Sequence, residues 1–344
     1  MSRTALIVYN PAAGSNLVPE SWLGKVVHVL ATTTVDNVNT IATKPDTTSK
    51  EIINQITSTV DLLVAAGGDG TIRMVLEAAA LYEKENPHAD NQNLAVGILP
   101  LGTGNQLARN LHIYEDNILN VNPLDKAIKT LTQGHSRVID LGVMNGHYFA
   151  VAAGAGPMSD AIVTPDKHDK ANWKMLAYAS SLVQTLAQPP ALFEIDADGE
   201  SFKVAASGLF VTNISDFGVG TLSESASLND GLLDLCILSP EEFQDYLEYG
   251  FAFAGALTGN QTSPYYIKKV KTVDIKVLPV SRRGSVIQNT WRKVKGAFGV
   301  YSKPPLMIYP DSMAMVDGDA CGTTPMHIEV VPSAVKVLIP PPKQ

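Results

Sequence analysis

Ala65-Ala66-Gly67-Gly68-Asp69-Gly70-Thr71 decides how this chain is read. It follows the apolar run Leu62–Ala66 directly and leads into a helix-like segment, Thr71–Glu83. Glycines at a strand-to-helix turn permit a tight bend and close approach of the main chain to a phosphate. The helix N-terminus that follows presents oriented N–H groups and partial positive charge. No Gly-Lys-Ser/Thr follows, so this is not a Walker A loop, and the three spaced glycines of the dinucleotide fingerprint are missing. Taken alone, the stretch also has a plainer reading, an ordinary Gly-rich strand-to-helix turn with Asp69 as a cap.

Two further loops strengthen the phosphate reading. Asn10-Pro11-Ala12-Ala13-Gly14-Ser15 follows the run Ala5–Tyr9, and Leu99-Pro100-Leu101-Gly102-Thr103-Gly104-Asn105 follows Leu94–Leu99. With Val38–Ala42, these runs read as buried parallel strands, apolar on both faces. Helices are expected near Val18–Leu30, Thr48–Thr57, Thr71–Glu83, Gln106–Leu111 and Pro123–Gln133. Strand–helix alternation predicts an α/β layer, in which loops after the strand C-termini line one ligand crevice.

After Gly134 the pattern turns to strands: Val138–Val143, Tyr148–Ala153, Leu192–Ala197, Phe202–Val211, Leu232–Leu238 and Val273–Leu278. Further strands are expected at Leu306–Tyr309, His327–Val331 and Val335–Ile339. Helical patches at Lys170–Leu186 and Pro240–Leu257 interrupt them. This predicts a second, sheet-built domain. The length of 344 residues suits two domains at about 150 residues each. Net charge is −8, which argues against non-specific nucleic-acid wrapping. No apolar run reaches the length of a spanning helix. Two cysteines, Cys236 and Cys321, suggest neither a disulfide framework nor a cysteine metal site, and a cytoplasmic location is expected.

The loops in this order, with Ala108-Arg109, Asp140-Leu141-Gly142, the run Ser227 to Asp234 and Met315-Val316-Asp317-Gly318-Asp319, resemble the catalytic domain of diacylglycerol, sphingosine and bacterial lipid kinases. The resemblance covers nearly the whole chain. It implies a three-layer, NAD-kinase-like α/β nucleotide-binding domain over residues 1–135. A β-sandwich-like lipid-binding domain would follow over 136–344, its terminal segment packing back on the first. The implied activity is ATP-dependent transfer of a γ-phosphate to a lipid hydroxyl in an interdomain cleft, with Mg²⁺. Nucleotide contacts would come from Asn10, Gly14, Thr43, Gly67, Gly68, Asp69, Gly70, Thr71, Gly102 and Thr103.

The resemblance further makes Asp319 the proton acceptor, one methylene shorter than the family's usual Glu, with Asp317 and Asp69 as catalytic partners. Without it, Asp317-Gly318 reads as a hairpin turn. It places a metal, magnesium, at Asp230 and the backbone oxygens of Ser227 and Leu232, where local spacing alone reads as a hairpin. Asp160 becomes a candidate for orienting the acceptor hydroxyl, with a simple cap as the alternative. Gln106 stands where the family usually has an acid, and Arg73-Met74 where it often has Asn-Glu.

Lys276–Lys303 carries seven basic residues and no acid. Ile287, Trp291, Val294, Phe298 and Tyr301 recur at helical steps within it. Such a segment can lie against an anionic membrane surface or pack on the β domain. The competing functions are NAD kinase, which shares the Gly-Gly-Asp-Gly-Thr loop, and a catalytically weak nucleotide- or lipid-binding protein. A lipid substrate, no nucleic acid, and an open option of a homodimer complete the expected partners.

Overall fold

The computed structural model describes residues 3–13, 19–86, 94–114, 123–157, 190–217, 221–239, 266–279 and 311–342. The chain divides into two compact units, one of residues 1–141 with 331–344 and one of residues 142–330.

The first unit alternates strands and helices: β1 (Thr4–Tyr9), α1 (Pro19–Thr33), β2 (Asn37–Ala42), α2 (Ser49–Ile53), β3 (Val60–Gly67), α3 (Asp69–Glu85), β4 (Ala95–Pro100), α4 (Gln106–Asn110) and α5 (Pro123–Gln133). The strands pair in parallel in the order β2-β1-β3-β4, with Ile7 beside Thr40 and Val64. β1, β3 and β4 are almost wholly buried, as continuous β-branched and aliphatic runs demand. β2 departs from the expectation of burial on both faces. It is the edge strand, and Asn37, Asn39 and Thr40 face solvent. In α3, Ile72, Val75, Leu76 and Ala79 recur at helical spacing and are all buried.

The second unit is made of strands. β5 (His135–Met144) leads into it, and β6 (His147–Phe149), β7 (Ala152–Ala155), β8 (Ala191–Ala197), β9 (Glu200–Ala206), β10 (Gly208–Thr212), β11 (Leu233–Leu238), β12 (Tyr266–Val270), β13 (Thr272–Val277), β14 (Met313–Val316) and β15 (Asp319–Thr323) follow. The last strand, β16 (Met326–Ile339), pairs with β13 through its first residues, while Val337 pairs with Val96 of β4 in the first unit. An antiparallel sheet in the order β12-β11-β10-β7-β14-β15 has an apolar face of Ala153, Leu209, Val211, Leu233 and Leu235. That face shares one core with Phe193, Ile195, Val273, Ile275 and Ile328 of β8, β13 and β16. The strict alternation of β8, with Phe193 and Ile195 inward and Glu194 and Asp196 outward, is the period-two signature of such a sandwich.

Two segments read as single strands prove divided, and two read as separate strands prove joined. Tyr148–Ala153 splits into β6 and β7, and Phe202–Val211 into β9 and β10, because each pair of strands enters different pairings. His327–Val331 and Val335–Ile339 form one strand, which runs through Pro332. The helices expected at Lys170–Leu186 and Pro240–Leu257 and the strand at Leu306–Tyr309 lie outside the described residues.

Candidate functional site

The order β2-β1-β3-β4 reverses direction between β1 and β3, and the crevice at such a switch point is where α/β sheets bind ligands. The loops that leave these strands are tied to one another by main-chain hydrogen bonds. Asn10 N–H donates to the Ala66 carbonyl at 3.0 Å, Leu101 N–H to Gly67 at 2.9 Å, and Thr43 N–H to Tyr9 at 2.8 Å. Asn10 also folds its own loop, its Oδ1 accepting the Ala12 N–H at 2.9 Å. Asn10, Thr43, Gly67 and Gly68 therefore stand together at the carboxyl edge of the sheet. Gly14 lies outside the described residues.

The glycines here are required by contact. A Cβ on Gly102 would stand 2.5 Å from the Cα of Gly68, and one on Gly67 would stand 2.5 Å from Thr71 Oγ1. The β3–α3 and β4–α4 loops touch backbone to backbone. Gly68 caps α3 in an extended conformation, so Asp69, Gly70 and Thr71 form its first turn, with Thr71 buried and Gly70 exposed. Thr103 is exposed at the tip of the facing loop.

Asp69 bridges these two loops. Its Oδ1 accepts the Gln106 N–H at 2.9 Å, and a Cβ on Gly104 would stand 2.5 Å from its Oδ2. Burial pushes the Asp69 pKa up, and this outweighs the lowering by the Gln106, Asn105 and Asp69 main-chain amides and the Arg109 charge. Two neighbours outside the expected nucleotide and catalytic sets shape the same loop. Asn105, buried and left-handed at φ 51°, accepts the Gly102 N–H at 3.0 Å and donates back to its carbonyl at 2.9 Å. Arg109 Nε donates to the Gly104 carbonyl at 2.9 Å, with its guanidinium 4.9 Å from the Tyr114 ring centre. The signal for both lay in Gly-Thr-Gly-Asn followed by Arg: a loop with two glycines needs side chains to hold its shape.

In the second unit, Asp317 and Gly318, at φ 49° and 86°, form the two-residue turn of the β14–β15 hairpin. Asp317 Oδ1 accepts the N–H groups of Val151 at 2.9 Å and Ala152 at 3.0 Å, and its Oδ2 that of Ala150 at 3.1 Å. Its own N–H donates to the Ala152 carbonyl at 2.8 Å. Asp319, two residues on, opens β15 and is exposed. Of this acidic pair, Asp317 anchors the hairpin to the segment leading into β7, and Asp319 presents a carboxylate to solvent.

The Asp230 loop precedes β11. Asp230 Oδ1 accepts the Leu232 N–H at 3.2 Å, and Ser227 Oγ donates to Asn229 Oδ1 at 3.2 Å. Asp230 Oδ2 lies 2.7 Å from the ammonium of Lys269.

The family model of the diacylglycerol kinase catalytic domain matches residues 4–144. A diacylglycerol kinase of Bacillus subtilis is 30% identical over 280 residues, covering 80% of this chain and 86% of that protein. The chain belongs to the diacylglycerol kinase family. A diacylglycerol kinase of Staphylococcus saprophyticus is 28% identical over a stretch of the same length, with 80% and 85% covered. The crystal structure of a diacylglycerol kinase from Bacillus anthracis has the same fold, with a TM-score of 0.71 at 20% identity and coverage of 99% and 97%. The α/β plus β-sandwich architecture is therefore that of the family.

Within this frame, Asn10, Thr43, Gly67, Gly68, Asp69, Gly70, Thr71, Gly102 and Thr103 lie on the strand-end loops of one sheet. Asp317, Asp319, Ser227, Asp230 and Leu232 lie in the second unit. Ser227, Asp230 and Leu232 do not fit a divalent cation as they stand, because a lysine already neutralises their carboxylate. Among the described residues no group of three or more His, Cys, Asp or Glu is placed to hold a metal. Asp160 and all of Lys276–Lys303 beyond residue 279 lie outside the described residues. Lys276 itself belongs to β13 and pairs with Glu194 on β8. No helix among the described residues is long and apolar enough to cross a membrane.

Proposed function

We propose that this chain is an ATP-dependent lipid kinase, transferring the γ-phosphate of MgATP to the hydroxyl of a diacylglycerol-like lipid. The observation that carries this reading is the backbone-to-backbone contact of Gly68 with Gly102, between the loops that leave β3 and β4 at the carboxyl edge of the sheet. Glycines at both positions let the two loops close on each other with their main-chain N–H groups uncovered by side chains, as a phosphate cradle requires. Family membership points to the lipid acceptor over NAD.

In this reading, the loops after β1, β3 and β4 cradle the phosphates with main-chain N–H groups, with Thr71 in the first turn of α3 and Thr103 at the tip of the facing loop. Asp69 holds the β4–α4 loop in register with the first turn of α3. Mg²⁺ bound with the nucleotide would supply positive charge to offset that of the phosphates. Asp319, exposed on its hairpin, takes the proton as the acceptor oxygen attacks phosphorus in line, and ADP leaves. Asp317 positions that hairpin. The basic segment within Lys276–Lys303 gives the enzyme a route to an anionic membrane surface, and Asp160 orients the acceptor.

The test is incubation of the purified chain with MgATP and a total lipid extract, read by mass spectrometry. A phosphorylated lipid that disappears with Asp319→Asn is expected. No labelled lipid together with stoichiometric conversion of NAD to NADP would replace this reading with NAD kinase. ATP binding without turnover of any acceptor would leave a binding protein.

A further inference from the structure

Strand β12 carries a cation into the Asp230 loop. The antiparallel register of β11 and β12 sets Lys269 directly opposite Asp234. From there the Lys269 ammonium lies 2.7 Å from Asp230 Oδ2, 2.9 Å from the Ser225 carbonyl oxygen and 3.4 Å from Asp234 Oδ2. An ammonium has three donors, and three oxygens surround it.

Asp234 needs such a partner. It is 1% exposed, on the face of β11 opposite the main core, and its Oδ1 accepts the hydroxyls of Ser223 at 2.9 Å and Ser225 at 2.8 Å. A buried carboxylate without a counter-charge is strongly destabilising. Lys269 stands between this buried carboxylate and that of Asp230, and so supplies the counter-charge. Two carboxylates and a main-chain carbonyl are hard oxygen donors of the kind that bind Mg²⁺ or Ca²⁺. Here a covalently attached positive charge already stands among them, and it would repel any divalent ion arriving at the same oxygens.

We propose that Lys269 replaces a divalent cation at the Asp230 loop, so that this loop is held closed by an ammonium and the protein requires no metal there. The inference rests on the loop's own geometry and is independent of the kinase reading.

Thermal unfolding of the full chain without nucleotide, in EDTA and in millimolar MgCl₂ or CaCl₂, tests it. The wild-type midpoint should be the same in both. Lys269→Met removes the charge at nearly constant length and leaves two carboxylates facing each other. Its midpoint should fall by about 4 °C or more in EDTA and recover with the divalent ion. Adding Asp230→Asn to that variant should abolish the recovery. Three results would overturn the proposal: wild-type stabilisation by Mg²⁺ that Asp230→Asn removes, a Lys269→Met midpoint equal to wild type, or a lowered midpoint that no divalent ion restores. If Lys269→Met does not fold, Mn²⁺ titration of the wild type by electron paramagnetic resonance decides. Absence of an Asp230-dependent site supports the proposal, and its presence overturns it.

Discussion

The carboxylate of Asp317 accepts the main-chain N–H of Val151 at 2.9 Å, across 166 positions of sequence. With Ala150 and Ala152 bonded to the same group, Asp317 fixes the segment leading into β7 against the β14–β15 hairpin. Asp319 sits on the far side of the two-residue turn and is exposed. The two acids should therefore fail in different ways. Asp317→Ala orphans buried amides and should cost about 2–3 kcal/mol of stability. Asp319→Asn should leave stability within about 0.5 kcal/mol of wild type while lowering kcat at least about 100-fold. Urea denaturation beside lipid kinase turnover separates the two. Equal loss of stability in both variants would contradict the assignment.

The approach of Gly102 to Gly68 makes a second prediction. A methyl group at Gly102 must displace main chain, because the atom it meets is the Cα of Gly68 and not the end of a flexible side chain. Gly102→Ala should weaken ATP binding at least about tenfold, roughly 1.4 kcal/mol. Gly146→Ala is a useful contrast: nothing lies within 4 Å of its added carbon, but its φ of 87° strains an L residue. It should lower stability by about 1 kcal/mol and leave nucleotide affinity unchanged. Isothermal titration with ATP reads both.

These contacts mark where sequence reading works in this chain. Ala5–Tyr9 and Leu62–Ala66 are legible because buried parallel strands are continuously apolar, and the loops after them because only glycine permits main chain to touch main chain. Phe202–Val211 misleads because its largely apolar residues, passing through Ser207-Gly208, hide a change of partner at Ser207. β12 is missed because Lys268 and Lys269 interrupt its hydrophobic pattern, although both are engaged, by Glu200 and by Asp230. The function of Asp317 is illegible for a different reason. Its partners are main-chain amides, which carry no side-chain signal, far away in sequence.

Asp69 makes a pH-dependent prediction. Burial raises its folded pKa above the ordinary 3.8, against the opposing main-chain amides and Arg109. The folded state therefore holds this proton more tightly than the unfolded state. Stability falls as pH rises from the ordinary value through the raised one, and then levels off. Asp69→Asn keeps an oxygen for the Gln106 N–H and carries no charge, so it should remove that slope. The variant should be the more stable protein at neutral pH and a poorer phosphotransferase. Urea midpoints of both proteins from pH 4 upward give the difference directly. A difference that does not change with pH would show that burial of this carboxylate has no energetic consequence.

Asp140 and Ser333 lie on the strands β5 and β16, which both units share. Asp140 is 2% exposed, and its Oδ1 accepts the Ser333 N–H at 2.7 Å. Ser333 is left-handed at φ 53°, a conformation that an L residue adopts at a cost of about 1 kcal/mol. The carboxylate compensates for that strain by holding the amide in place. Asp140→Ala removes a part-buried hydrogen bond and should destabilise by about 1 kcal/mol. Ser333→Gly removes the strain and keeps the hydrogen bond, and should stabilise by about 1 kcal/mol. In the Asp140→Ala background the segment is free to leave the left-handed turn, so Ser333→Gly should stabilise by less there. A double-mutant cycle in urea measures this coupling, and strictly additive changes would show that the Asp140 contact does not hold Ser333 in its left-handed turn.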